Sequence, residues 1–518
     1  MVIKVLLFCC FPGRTMPLSN TLRVYLFVFV FCKQAATHGI TDEIDVVVFL
    51  PRNDTYLFSH ARVAPAIISA QLKLKTGGAP YSDLRFNIHF ESSDRVNDAL
   101  FRLVDRARVQ KPDLILGPVR EYEAAAVVRL ASHWNIPVIS AGALAAAFGN
   151  KDTEFSHLTR IAPSYVKMAE SFGAMFEHFA WKTAFLIYED DKEQRNCYFT
   201  AEGIYHLMSD LTVKTSAFSR DDPLDTDDVI QSVYDAQVVI MCMEASKIRE
   251  IMLAAHRHQL TSGTHMFFNI ELFNASSYGN GSWRRGDKFD NEARQAYAYL
   301  NTVTLLRTVK PEFENFSMEI KAASESMGLH NCKDCGSVNV FVEGFHDALL
   351  LYAIALKEAM KSGYTKKNGS EITSQMWNRT FEGIAGQVSM DVNGDRNGDF
   401  SLMAMTNVNT GTYEVVANYF GVNGSFQLLS AFNCDHFTLQ GVQITQTEIS
   451  DTSCGIGVSA LTGVIVGAVL GTAMLAAFYF FRKKYRITIE RRAHSEECTT
   501  RKHRQLREDS IRSNLSAA

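Results

Sequence analysis

Residues 44–50 read IDVVVFL, a run with three consecutive valines and a single charge. A strand this apolar on both faces suits the interior of a parallel sheet, where helices cover both sides. Working outward, residues 84–90, 114–116 and 136–140 also read as strands, and residues 63–74, 95–108 and 121–133 between them carry apolar residues at helical period. The alternation predicts parallel βαβ units. It restarts at residues 181–188 (WKTAFLIY), with strands at 213–218, 238–243 and 266–270 and helices at 198–211, 227–234 and 246–258. Two α/β lobes follow, and ligands of such sheets lie in crevices at strand ends or between lobes.

Residues 338–360 read as one long, largely buried helix, and residues 387–420 as a three-stranded meander turned by NGDRNGD and NTG, so the chain crosses back after the second lobe. The first lobe is expected at about 44–162 plus part of 337–384, and the second at about 163–336 plus part of 385–430.

The ends of the chain differ from its body. A basic residue, Arg23, precedes nine apolar residues at 24–32, and small residues follow at Ala35, Ala36 and Gly39, the pattern of a secretory signal over 1–39 cleaved near 36–39. Residues 455–481 are 27 consecutive uncharged residues, followed at once by RKKYR. That length gives about 40 Å of helix, enough to span a bilayer, and the positive cluster places the following side in the cytosol. The expected topology is a single-pass type I plasma-membrane protein. It has an ectodomain at 40–430, a juxtamembrane linker at 431–454, the span at 455–481 and a cytoplasmic tail at 482–518.

Residues 40–481 hold 37 basic and 51 acidic groups, whereas the tail is basic. An acidic body does not suit a nucleic-acid binder and favours a cationic partner. The sequons at Asn53, Asn274, Asn280, Asn315, Asn368, Asn378 and Asn423 all precede the span and are expected to be glycosylated surface positions. Cys454 lies next to the membrane, where two copies of the chain would bring it together, so an interchain disulfide is expected there. Gly463, Gly467 and Gly471 repeat at four-residue spacing and line one face for close helix approach, which also argues for a homodimer.

Chemistry of other kinds is not indicated. There is no G-x-S-x-G elbow, H-E-x-x-H, phosphate loop or kinase motif set, and the 37 residues after the span are too few for a catalytic domain, so no enzyme is expected. DVNGDRNGD at 391–399 has Arg396 where a calcium loop needs glycine and Leu402 where it needs a chelating glutamate, so it reads as turns and no metal is expected. Cys332 and Cys335 form one C-x-x-C with no second ligand pair, which suggests a local disulfide rather than zinc.

If residues 198–208 are helical, Tyr198, Glu202 and Tyr205 fall at i, i+4 and i+7 on one face, while Phe199 and Ile204 turn elsewhere. An aromatic and acidic stripe suits a cationic peptide.

Four stretches carry a family resemblance: SHLTRIAPSYVKMAESF at 156–172, FFNIELFNASSYGNGSWRRGDK at 267–288, WNRTFEGIAGQVSMDVNGDRNGDFS at 377–401 and FYFFRKKYRITIERR at 478–492. The chain resembles the natriuretic peptide receptors, and among them the clearance-type (type C) branch rather than the guanylyl-cyclase members. The resemblance implies a two-lobed type 1 periplasmic-binding-like α/β ectodomain, a homodimer holding one peptide hormone between protomers, and removal of hormone by internalisation. It implies hormone contacts at Tyr122, Glu154, Tyr198, Glu202 and Tyr205, with Phe199 counted beside them, and a disulfide between Cys197 and Cys242. It also implies a chloride ion at Ser93, Val119 and Arg120, although Arg95 and Arg120 stand where the family has a first-lobe disulfide. The basic tail is expected to act on inhibitory heterotrimeric G proteins. Signalling through that tail, or sensing of a small molecule in the inter-lobe cleft, are the alternative functions.

Overall fold

Alternate residues of the first strand enter different layers of the protein. In β1 (Glu43–Leu50), Val46, Val48 and Leu50 pack with Val63, Ile67 and Ala70 of α1 (His60–Thr76) on one side. Val47 and Phe49 pack on the other with α2 (Asp98–Ala107) and α3 (Glu121–His133). A strand covered on both faces must be apolar throughout, which is why the valine run is uninterrupted. Beside it lie β2 (Arg85–Ser92), β3 (Leu114–Leu116), β4 (Val138–Ser140) and β5 (Leu158–Arg160), all parallel, in the order β2-β1-β3-β4-β5. This computed structural model describes residues 43–78, 80–208, 210–273, 281–306, 310–327 and 338–431.

The second lobe repeats the scheme. In β6 (Thr183–Asp190), Ala184 and Leu186 face α4 (Tyr165–His178), while Phe185 and Ile187 face the opposite helical layer. That opposite layer contains α6 (Thr226–Val233) and α7 (Ala245–Arg257), and α5 (Asn196–Leu207) packs on α4. The remaining parallel strands are β7 (Thr212–Ser219), β8 (Val238–Cys242), β9 (Met266–Ile270) and β10 (Leu300–Leu305), with α8 (Asp290–Tyr297) before the last. An antiparallel meander, β13 (Phe400–Asn407), β14 (Thr412–Phe420) and β15 (Ser425–Leu428), extends the sheet from β10.

Two boundaries differ from the sequence expectation. Helix α9 (Pro311–Ser326) falls in the range 163–336 assigned to the second lobe, yet it packs on α1 of the first, and its Phe316 ring lies 5.0 Å from His346. His346 belongs to α10 (Val340–Lys361), which also packs on α1 and is followed by α11 (Gly369–Met376). The second lobe therefore gives way to the first directly after β10, because α9 buries Phe316 and Ile320 against first-lobe helices.

The three-stranded meander over 387–420 is also corrected. Strand β12 (Gln387–Met390) pairs with β11 (Arg379–Glu382) as a separate antiparallel pair and not with β13, whereas residues 391–396 do turn tightly, closed by a bridge between Met390 and Arg396, before the chain crosses to the second lobe. Asp395 in that crossing pairs with Arg160 and Lys151, and Asp391 pairs with Lys167, so both carboxylates are taken by protein cations. The NTG turn does join β13 and β14, with Gly411 at φ +71°.

The segments 1–39, 432–454, 455–481 and 482–518 lie outside the described residues, as do Cys332, Cys335, Cys434, Cys454, Asn274 and Asn280. Among the described residues no helix is long and apolar enough to cross a membrane. Asn53, Asn315, Asn378 and Asn423 are exposed and Asn368 is half-buried.

Candidate functional site

Helix α5 is held by three constraints. Cys197 in its first turn is disulfide-bonded to Cys242 at the end of β8, with the Cα atoms 5.3 Å apart. Gly203 faces Tyr165 of α4, and a Cβ there would lie 3.1 Å from the Tyr165 backbone, so glycine permits the close approach. Thr200, Ala201 and Ile204 point into the core. With one face so committed, Tyr198, Glu202 and Tyr205 are left on the other, as helical period requires.

The start of α5 meets the first lobe through Phe199. The Tyr122 ring on α3 lies 5.8 Å from Phe199, Phe199 lies 5.2 Å from Tyr198, and Tyr198 lies 6.1 Å from Tyr188 of β6. Phe199 packs against the cores of both lobes and so belongs to the cluster instead of turning away from it. Tyr205 is 52% exposed, Tyr122 45% exposed, and Tyr198 half-buried. Glu154 pairs with Arg129 of its own lobe at 2.9 Å, and the structure gives it no hydrogen bond to α5.

Glu202 is half-buried, and its Oε2 is enclosed without a hydrogen-bond partner. Glu121, the first residue of α3, is buried. Its Oε1 accepts from the Leu144 N–H at 3.1 Å, while Oε2 has no partner. Burial pushes the Glu121 carboxyl up to about 7, the Leu144 N–H opposes this, and the Glu202 charge adds to the rise. Glu121 and Glu202 thus come from different lobes and their negative charges repel, so a cationic group reaching Glu202 would be favoured. Glu121 was missed in the sequence because at a helix start an acid reads as dipole compensation.

Of the three positions expected to hold chloride, Val119 and Arg120 immediately precede α3 and Ser93 follows β2. Ser93 is buried, its N–H donates to Leu50 O, and its hydroxyl has no internal partner. Arg120 caps α3 with extended backbone, and its guanidinium donates to Ser93 O at 2.6 Å, Asp94 O at 3.1 Å and Glu123 Oε2 at 3.3 Å. Burial pushes Glu123 up to about 7 against the pull of Arg120. Val119 is buried, and Gly142 packs so tightly against it that a Cβ would fall 2.2 Å from Val119 O. An orphaned hydroxyl beside a helix N-terminus and a guanidinium fits an anion.

A two-lobed α/β fold with an aromatic and acidic patch at the lobe junction defines a receptor ligand-binding ectodomain, and residues 62–408 match the family described as the receptor family ligand binding region. The chain is 56% identical over 493 residues to the atrial natriuretic peptide receptor 3 of Rattus norvegicus, covering 92% of this chain and 91% of that protein. The receptor 3 of Homo sapiens is 55% identical over the same shares. The atrial natriuretic peptide receptor 2 of Homo sapiens is 32% identical over 73% of this chain and 37% of that protein. The chain belongs to the natriuretic peptide receptor family.

Proposed function

We propose that this chain is a single-pass cell-surface receptor that binds natriuretic peptide hormones as a homodimer and clears them by internalisation, without enzymatic activity. One observation carries the binding reading: Tyr198 and Phe199 of α5 form one ring cluster with Tyr122 of the first lobe, and Glu202 and Tyr205 continue the same uncommitted helix face away from it. Rings supply contact area at low entropic cost, and the acidic groups suit a cationic ligand. The 56% identity to a protein named for its natriuretic peptide ligand supports the ligand class. Ser93, Val119 and Arg120 would hold chloride, which supplies a fixed negative charge at the start of α3. The tail at 482–518 would act on an inhibitory G protein through its basic clusters.

The test is saturation binding of a labelled cyclic natriuretic peptide to cells expressing the full chain, followed by acid stripping at intervals. Saturable binding with transfer of label to the acid-resistant pool is expected. No specific binding would end the reading. Binding without uptake would remove the clearance part.

Small-molecule sensing is a second reading, favoured by a cavity of about 150 Å³ between the lobes, lined by Tyr56, Phe58, Glu121, Tyr165 and Phe341 among others. A monomeric ectodomain that bound an amino-acid-sized ligand would support it.

A further inference from the structure

We propose that Arg195 is a positioning residue that bridges the lobes and holds Tyr122 and Tyr198 in one peptide-binding surface. The proposal rests on the reading of those tyrosines as hormone contacts. Arg195 precedes α5 and has φ 55° and ψ 32°, the left-handed region that a residue with a side chain enters at a cost. The turn that imposes this is built by Asp191, whose Oδ1 accepts from the N–H groups of Glu193 at 3.1 Å, Gln194 at 3.0 Å and Arg195 at 2.6 Å.

So placed, the guanidinium uses every part. Its Nε and Nη2 donate to Asp190 Oδ1 and Oδ2 at 3.1 and 2.9 Å. Its plane covers the Tyr198 ring, with Cζ 3.8 Å from the centroid. Its Nη1 reaches the other lobe and donates to the Tyr122 hydroxyl at 3.4 Å. The Arg195 bond holds the Asp190 carboxyl below its ordinary range, as a tight ion pair should. Asp190 thereby cancels the charge that would otherwise repel a cationic ligand. A planar fork can stack, pair with two oxygens and reach a hydroxyl at once, whereas a lysine ammonium has one point of charge.

The arrangement also predicts the sign of a mutation. Without Arg195 the two tyrosines are linked to each other only through Phe199, and the ligand must order them itself, which lowers affinity. The opposite view is that Arg195 competes with a peptide cation for the Tyr198 face, and it predicts a gain.

The experiment is saturation binding of a radioiodinated cyclic cationic natriuretic peptide to cells expressing the full chain, normalised to surface protein by an extracellular tag. The variants are Arg195→Ala, Tyr122→Phe, the pair together, Arg195→Lys and Tyr198→Ala. We expect Arg195→Ala to weaken binding about fivefold or more and Tyr122→Phe about threefold, the scale of one cation–π contact and one hydrogen bond. The double variant should bind about as weakly as Arg195→Ala alone, since the hydroxyl acts through the guanidinium. Arg195→Lys should recover less than half of the loss in free energy. Tyr122→Phe removes a single oxygen, so it tests the bridge even where Arg195→Ala fails to reach the surface. Tighter or unchanged binding by Arg195→Ala, or a fully additive double variant, would overturn the proposal. A Tyr198→Ala receptor of normal affinity would overturn the site reading beneath it. A weakened Tyr198→Ala beside a normal Arg195→Ala would overturn the bridge alone.

Discussion

Arg160 and Asp395, 235 residues apart in sequence, form a two-point ion pair at the crossing between lobes, with Nε to Oδ1 at 2.6 Å and Nη2 to Oδ2 at 2.5 Å. Arg160 closes β5, and its remaining amino group donates to Ala143 O and Ala145 O. Lys151 adds a second cation 3.1 Å from Asp395. The backbones also meet, Arg160 N–H donating to Gly394 O and Arg396 N–H to Arg160 O. The returning chain is therefore fastened to the end of the first sheet, and the fastening is buried.

Removing Asp395 should be severe, because it leaves Arg160 and Lys151 as uncompensated buried charges. Asp395→Ala is expected to cost about 3–5 kcal/mol and to lower the thermal midpoint of the ectodomain measurably. Burial pushes the Asp395 carboxyl up, but Arg160 and Lys151 outweigh it and hold the group below its ordinary range. A carboxyl depressed in the folded state contributes stability above its unfolded value and loses it as pH falls through the folded value. The cost of Asp395→Ala should therefore be full at neutral pH and shrink as pH falls through the folded value. An Asp395→Ala ectodomain with the parental melting midpoint would contradict this account.

Glu121 has the opposite sign. Its carboxyl is raised to about 7 against an ordinary value of 4.5, so the folded state holds a proton that the unfolded state has released. That contribution is fully present below pH 4.5 and is lost as pH rises through about 7. Glu121→Gln should keep the bond from Leu144 and remove the penalty, gaining on the order of 3 kcal/mol at pH 8 and little at pH 4.5. Denaturant titrations at both pH values test the difference, and an equal effect at each would refute it.

For the hormone surface, Tyr198→Ala should weaken peptide binding by at least about tenfold, since truncating a half-buried ring at an interface costs about 2 kcal/mol or more. Tyr205→Ala should lose less, because that ring is 52% exposed and stands apart from the cluster. Glu202 has an enclosed oxygen with no partner, so Glu202→Gln should change the dissociation rate as well as the association rate. Surface plasmon resonance at low and high salt separates the two. A purely salt-dependent association effect would return Glu202 to the role of a solvated charge.

Much of this was readable in the chain because period translates directly into exposure. The valine run in β1 and the spacing of Tyr198, Glu202 and Tyr205 each state which face is covered, and the strands and helices of both lobes follow. The Cys197–Cys242 bond came from family resemblance rather than from spacing. Helix α9 was assigned to the wrong lobe because amphipathic period says that Phe316 and Ile320 are buried, not against which partner. The role of Arg195 was hidden for a different reason. It depends on a left-handed backbone set by Asp191 and on a hydroxyl 73 residues earlier, neither of which leaves a local periodic mark. The Asn, Gly and Asp of residues 391–396 do mark a turn, but an alternating apolar run does not specify its neighbour, and β12 pairs with the strand before it instead of the one after.

Arg120 should be needed where the family resemblance implies a covalent bridge. Its side chain ties the backbone of Ser93 and Asp94 to the start of α3 through three hydrogen bonds, and loss of them leaves two carbonyls and the buried Glu123 without a cation. Arg120→Ala is expected to destabilise the ectodomain by about 2–3 kcal/mol, and the joint change Arg95→Cys with Arg120→Cys to recover part of this under oxidising conditions. The proposed chloride would act at the same place. Replacing chloride by gluconate at constant ionic strength should lower the thermal midpoint of the parental protein, because a ligand bound only by the folded state stabilises it by mass action. Ser93→Ala should abolish that chloride dependence without a large loss in gluconate, since the hydroxyl has no partner of its own in the protein. If Ser93→Ala retained the full chloride response, the anion would have to be held elsewhere, and the orphaned hydroxyl would no longer argue for a site at the start of α3.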